Sequence, residues 1–166
     1  MRFAELRTEY ASSLARARVP VIAIEHVGST SVPGLAAKPV IDVDIVVAPD
    51  DVAGASRALI DLGFRPLGEQ GIPQRWAFRE PDRLARTNTY VAVDGCLALR
   101  NHLAVREVLR SDHVLRSRYA DVKRRVAAVA HDGDEYVRGK AEIVQLILLA
   151  AGFTEAERAA IAEQNP

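Results

Sequence analysis

Two carboxylates set two residues apart, Asp42 and Asp44, interrupt an otherwise apolar run from Val40 to Val47. Side chains alternate between the faces of a strand, so these two point the same way, with Cα atoms about 6.5 to 7 Å apart. Val40, Ile41, Val43, Ile45, Val46 and Val47 read as a strand covered on both sides, where an unpaired charge is expensive. A hard divalent cation relieves that expense. Mg2+ takes oxygen ligands and is usually held by one or two carboxylates together with substrate phosphates. The loop ahead of the strand offers what phosphates need: Gly28 lets backbone approach a ligand closely, and Ser29, Thr30 and Ser31 supply hydroxyls and N–H donors. Either feature alone has a plainer explanation, acids facing water or a simple turn. Together they point to a bound metal polyphosphate, with Mg2+ (or Mn2+) on Asp42 and Asp44.

A Gly-Ser pair followed about a dozen residues later by hydrophobic-Asp-hydrophobic-Asp-hydrophobic resembles the signature of the nucleotidyltransferase superfamily, carried here by Gly28, Ser29, Asp42 and Asp44. The fuller string HVGSTSVPGLAAKPVIDVDIVV resembles the GrpB family, and the likeness runs through most of the chain. That resemblance implies a nucleotidyltransferase-like fold that places a nucleoside monophosphate, or a related phosphoryl group, on a small acceptor. Asp42 and Asp44 would be the catalytic metal holders, and Gly28 and Ser29 would cradle the phosphates. The strings LAVREVLR and YADVK look like the family's helical motifs and put Arg106, Arg110, Tyr119 and Lys123 at matching positions. Tyr136 and Lys140 share a Tyr-x-x-x-Lys spacing that the family also shows. Arg offers bidentate contact to phosphate and Lys a point charge. The phosphate-binding set expected is therefore Gly28, Ser29, Thr30, Ser31, Lys38, Arg106, Lys123, Tyr136 and Lys140.

The chain departs from the superfamily at one place. Active nucleotidyltransferases often carry a third carboxylate on the strand equivalent to residues 87–93, whereas here that strand has Tyr90 and neither an acid nor a His. Asp94, just beyond, reads as a turn residue before Gly95. The gap favours a second possibility, a module that binds nucleotide or phosphoanion without turnover. A third, an RNA- or protein-contacting domain, would use the basic stretch from Arg100 to Arg125.

The elements that must position these residues follow from periodicity and punctuation. Phe3, Leu6, Tyr10 and Leu14 mark an amphipathic helix over residues 3–18, ended by Pro20. Strands are expected at 21–27, 40–47, 64–67, 75–79 and 87–93, with a helix at 51–62 closed by Gly63. The loop within 64–80 is expected to lie beside the acidic strand, where it could cover a ligand; Arg75 and Arg79 could face it, a place on the surface being the plainer reading. Helices follow at 97–110, at 112–131 with Val114, Leu115, Tyr119, Val122, Val126 and Val129 inward, and at 135–151 capped by Asp134. Thr154 to Glu157 is a capping box for a short terminal helix. The fold class is thus α/β: a mixed sheet flanked by helices, with a helical C-terminal half, in one domain over residues 1–166.

With 22 basic and 22 acidic residues the chain is formally neutral, so global charge gives no reason to expect nucleic acid as a partner. The single Cys96 cannot form an internal disulfide, which suits a reducing cytosol. No apolar run approaches 18 residues and no secretory leader is evident, so a cytoplasmic protein with no membrane contact is expected. The expected partners are a nucleotide and a small-molecule acceptor.

Overall fold

The computed structural model describes residues 3–84, 86–131, 135 and 138–164. Helix α1 (Phe3–Arg16) leads into strand β1 (Ala23–Val27), a 3-10 turn (Ser29–Ser31) and β2 (Ile41–Val47). Helix α2 (Val52–Asp61) precedes the hairpin β3 (Arg65–Gly68) and β4 (Arg75–Arg79), and β5 (Thr87–Val93) follows. The rest is helical: α3 (Leu97–Ser111), α4 (His113–Val129), α5 (Ala141–Ala150) and α6 (Glu155–Glu163). Strand order is β1-β2-β5-β4-β3, with β2 and β5 parallel and the other pairs antiparallel. The mixed α/β architecture expected from the sequence is the one that forms.

Alternation along the strands divides the sheet into two unlike faces. Val43, Ile45, Val47 and Val91 point to one side, where they pack with Leu6, Tyr10 and Leu14 of α1 and with Ala55, Ala58 and Leu59 of α2. Full burial of such side chains stabilises the fold by roughly 1.5–3 kcal/mol each. The Tyr10 hydroxyl lies 2.6 Å from Thr89 Oγ1, so the buried phenol has a partner. The opposite face is polar. Glu25 stands across from Asp44, Asp44 across from Tyr90, and Asp42 across from Asn88. Helix α3 crosses this face, and at one end Ala98 and Leu99, with Cys96 just ahead of the helix, pack in one cluster with Val46 and Ala92.

Two expectations are corrected. Strands β3 and β4 lie beyond β5, and the loop between them meets the far end of that strand, where Val93 N–H donates to the Gln74 carbonyl (3.0 Å). Asn88, beside Asp42, is five residues back along β5, roughly 16 Å away at 3.3 Å per residue. The loop therefore does not cover the carboxylates. In α4, Val114 is 56% and Val129 70% exposed, whereas Tyr119 and Lys123 are buried. Val114 sits about 140° around the helix from Tyr119, off the inward stripe. Lys123 is sealed instead, its ammonium bonded to Ser29 and Ala36. Asp134 and Tyr136 fall outside the described residues.

Candidate functional site

The loop joining β1 to β2 places backbone directly against a carboxylate. Gly28 adopts φ 68°, ψ −171°, and a Cβ at this position would overlap Asp42 Oδ2. Only glycine permits both the dihedral and the approach. Two of the three loop hydroxyls brace the loop: Ser31 Oγ donates to the Gly28 carbonyl (2.6 Å), and Thr30 Oγ1 donates to Val40 O (2.9 Å) while contacting His26 Nε2 (3.0 Å). Ser29 differs. Its Oγ accepts from Lys123 Nζ at 2.8 Å, and the same ammonium donates to Ala36 O at 3.2 Å.

A cavity of about 200 Å³ opens between these groups, lined by Gly28, Ser29, Asp42, Tyr90, His102 and Lys140. Asp42 is fixed there by Asn88, whose Nδ2 donates to Oδ1 at 2.7 Å. Burial lifts the Asp42 carboxyl above its ordinary pKa, and nearby Asp44 adds to the rise; the Asn88 hydrogen bond and the His102 charge oppose it. Lys140 is pushed down to about 8, by burial first and by the charge of Lys123 second, against the pull of Asp42. Burial likewise lowers Lys123, with exposed Lys38 adding repulsion and Asp42 resisting. A carboxylate held above its usual range and a lysine held below its own line one cavity, and a second lowered lysine, Lys123, is bonded to Ser29 of its wall. Perturbations of this kind gather at functional sites.

Asp44 lies a layer deeper. It is fully buried, its Oδ2 is 2.7 Å from His102 Nδ1, and its Oδ1 is buried with no hydrogen-bond partner. The two carboxylates do share a face, as strand alternation requires, but only Asp42 lines the cavity. Burial would lower the His102 pKa; the charge of Asp44 and the hydrogen bond to it outweigh that and raise it.

His102, Arg106 and Arg110 recur every four residues, so one stripe of α3 overlooks the site. Arg106, expected on phosphate, donates to Glu25 Oε2 (2.6 Å), to the His26 carbonyl (2.9 Å) and to Glu107 Oε1 (2.7 Å). The reason is the sheet register, which sets Glu25 beside Asp44 and gives the guanidinium a nearer anion. Arg110 donates through Nε (3.1 Å) and Nη2 (2.8 Å) to the Ser31 carbonyl. The two arginines therefore grip the loop on either side of Gly28. His26 turns to the other face, stacked on Phe3 at 4.6 Å, in a structural role.

Of the expected phosphate-site residues, the structure brings Gly28, Ser29 and Lys140 to the Asp42 cavity and Lys123 onto Ser29. It puts Thr30, Ser31 and Arg106 into the loop's frame and leaves Lys38 exposed nearby. Asn88, His102, Glu25 and the buried Arg75, whose guanidinium lies 4.3 Å over the Tyr90 ring, were not singled out by sequence for the roles they hold. Asn88 could have been found from its strand position on the Tyr90 face, and His102 from its helical spacing to Arg106. Among the described residues no group of three or more His, Cys, Asp or Glu side chains is placed to hold a metal ion, and no helix is long and apolar enough to cross a membrane.

The profile of the GrpB protein family matches residues 1–149. The chain belongs to the GrpB family. UPF0157 protein YqkA of Bacillus subtilis (strain 168) is 34% identical to this GrpB chain over 127 residues, 75% of this chain and 37% of YqkA, so the chain spans little more than a third of that relative. UPF0157 protein SCO7215 of Streptomyces coelicolor is 33% identical over 155 residues, 91% of this chain and 80% of the relative. The crystal structure of conserved protein GrpB from Enterococcus faecalis superposes with a TM-score of 0.73 at 28% identity, covering 89% of this chain and 91% of that one.

Proposed function

We propose that this GrpB chain binds a metal-complexed nucleotide in the Asp42 cavity and transfers a nucleoside monophosphate, or a related phosphoryl group, to a small acceptor. One observation carries this: glycine backbone pressed against a carboxylate, with Ser29 and Lys140 lining the same cavity and Lys123 bonded to Ser29. Backbone N–H groups, a hydroxyl and two cations suit a polyphosphate, and the carboxylate suits the ion that accompanies one. The donors present fit Mg2+ or Mn2+. Asp42 reaches the cavity, Asp44 keeps an orphaned oxygen behind it, and with only two carboxylates the remaining ligands would be phosphate oxygens and water. Such an ion would neutralise charge on the phosphates. The chain's own part is to hold the triphosphate along Gly28–Ser29, to balance it with Lys123 and Lys140, and to keep Asp42 oriented through Asn88.

Calorimetry with Mg·ATP and Mg·GTP tests this. Asp42→Asn should weaken binding at least about tenfold, the equivalent of one charge-assisted contact; undiminished affinity would remove Asp42 from the metal site. A second reading, a nucleotide-binding module without turnover, is favoured by Asp44 being engaged by His102 and by Asn88 and Tyr90 standing where an active enzyme often has an acid. Pyrophosphate release across a panel of acceptors separates the two: release supports transfer, and tight binding with no release across the panel supports the module.

A further inference from the structure

A second compartment, of about 260 Å³, opens between α3, α5 and α6. Val105, Val144, Ile161 and Ala162 give it apolar walls, while Asn101 and Gln145 add an amide each. Gly28, His102, Tyr119 and Lys140 line this chamber and the Asp42 cavity alike, so the two adjoin through a shared wall. Ligand sites for small molecules run from roughly 300 to 1,000 Å³. Neither compartment reaches that alone; joined, they do.

The amides differ in state. Gln145 Nε2 donates to the Arg158 carbonyl at 3.1 Å, which fixes that side chain. Asn101 Oδ1 is buried and has no partner. A buried amide oxygen left unpaired is rare enough in a folded protein to call for an explanation, and this one belongs to a chamber wall on the helix that also carries His102. An asparagine amide sets a donor beside an acceptor, the complement of the edge of a nucleobase. Apolar walls suit the flat faces of the same ring.

We propose that the chamber between α3, α5 and α6 is a nucleobase site, read by the Asn101 amide and continuous with the phosphate cavity at Lys140. The inference rests on the polyphosphate reading of the Asp42 cavity and names the part of the ligand that cavity does not accommodate. The bound nucleotide lies with its phosphates at Gly28–Ser29 and its base between α3, α5 and α6, so base choice rests with Asn101 of α3 and the walls that α5 and α6 supply.

The test is calorimetry in Mg2+ with ATP, GTP, CTP, UTP and inorganic tripolyphosphate, on the full chain and on Asn101→Leu, Ala162→Phe and Asp42→Asn. Ala162 is exposed at the chamber wall, so the phenylalanine fills the space without disturbing the core. At least one nucleotide should bind about tenfold or more tighter than tripolyphosphate. Asn101→Leu should remove about five- to tenfold of that preference, and Ala162→Phe should bring nucleotide and tripolyphosphate level, both leaving tripolyphosphate affinity as it was. Asp42→Asn should weaken every ligand. Nucleotides no tighter than tripolyphosphate, or a preference that survives both chamber variants, would overturn the proposal. If tripolyphosphate fails to bind the unaltered chain, the phosphate reading has failed by itself; saturation-transfer NMR with the four nucleosides then decides. Contact that Ala162→Phe abolishes upholds the base site, and no contact overturns it.

Discussion

The two faces of one sheet are built from neighbouring residues of the same strands, yet they do different work. On the side covered by α1 and α2, Val43, Ile45 and Val47 meet Tyr10, Leu14 and Leu59 in a closely packed apolar layer. On the other, Glu25, Asp42, Asp44, Asn88 and Tyr90 are charged or polar, and each carboxylate has its own partner: Arg106 for Glu25, Asn88 for Asp42, His102 for Asp44. A stable fold needs only the first kind of face. The second takes carboxylates out of water, at several kcal/mol per ion before partners offset it, and is the one that opens into cavities. It is this second face that the proposed function assigns to ligand binding.

That contrast can be broken from either side. The largest expected change in stability is on the apolar face: Ile45→Ala should destabilise the fold by about 2–5 kcal/mol, seen as a lower urea midpoint, while the folded fraction keeps its polyphosphate affinity. Gly28→Ala comes next. Positive φ and the overlap with Asp42 together should cost about 1–3 kcal/mol and abolish Mg·ATP binding, a combination that calorimetry and denaturation would report in one preparation. A variant that binds normally would show that the close approach of loop and carboxylate is incidental.

Asp42→Asn should hardly change stability at neutral pH. Its carboxyl has a raised pKa, so the folded state takes up that proton first as pH falls and loses the associated stability as pH rises through the folded value. Removing the charge forfeits little and relieves the cost of burying it. A marked fall in melting temperature would show the carboxylate to be a structural member of the fold. The smallest effect belongs to Lys140. With its folded value at about 8 against an ordinary lysine value of 10.5, the unfolded chain binds the extra proton between those limits, so stability should rise with pH across that window. A bound polyphosphate draws the proton back, and affinity should fall by up to about tenfold per pH unit above pH 8. Lys140→Gln should flatten that decline. A parallel decline in both proteins would place the titration elsewhere.

The apolar face was legible in the sequence almost residue by residue, because burial imposes a period that local composition reveals. Phe3, Leu6, Tyr10 and Leu14 announced α1, and the run around Val43 announced β2. The polar face was legible only where its groups stand close in sequence, as in the Gly28–Ser29 turn and the Asp42–Asp44 pair. What completes it comes from afar. His102 reaches Asp44 across 58 residues and Lys123 reaches Ser29 across 94, contacts no window of sequence contains. Arg106 shows the reverse: a cation that suits phosphate by type is claimed by Glu25, whose proximity is a consequence of strand register. Lys123 was picked out by resemblance, but its burial was not legible: the helix's valines gave a plausible inward stripe, and a buried lysine looks like a solvated one until its partner is known.

The most direct test is a crystal structure of the chain with Mn2+ and a non-hydrolysable ATP analogue. An anomalous manganese peak against Asp42, with the triphosphate along Gly28–Ser29 and within reach of Lys123 and Lys140, is the expected result. Manganese or phosphates located elsewhere, with Asp42 still bonded only to Asn88, would contradict it.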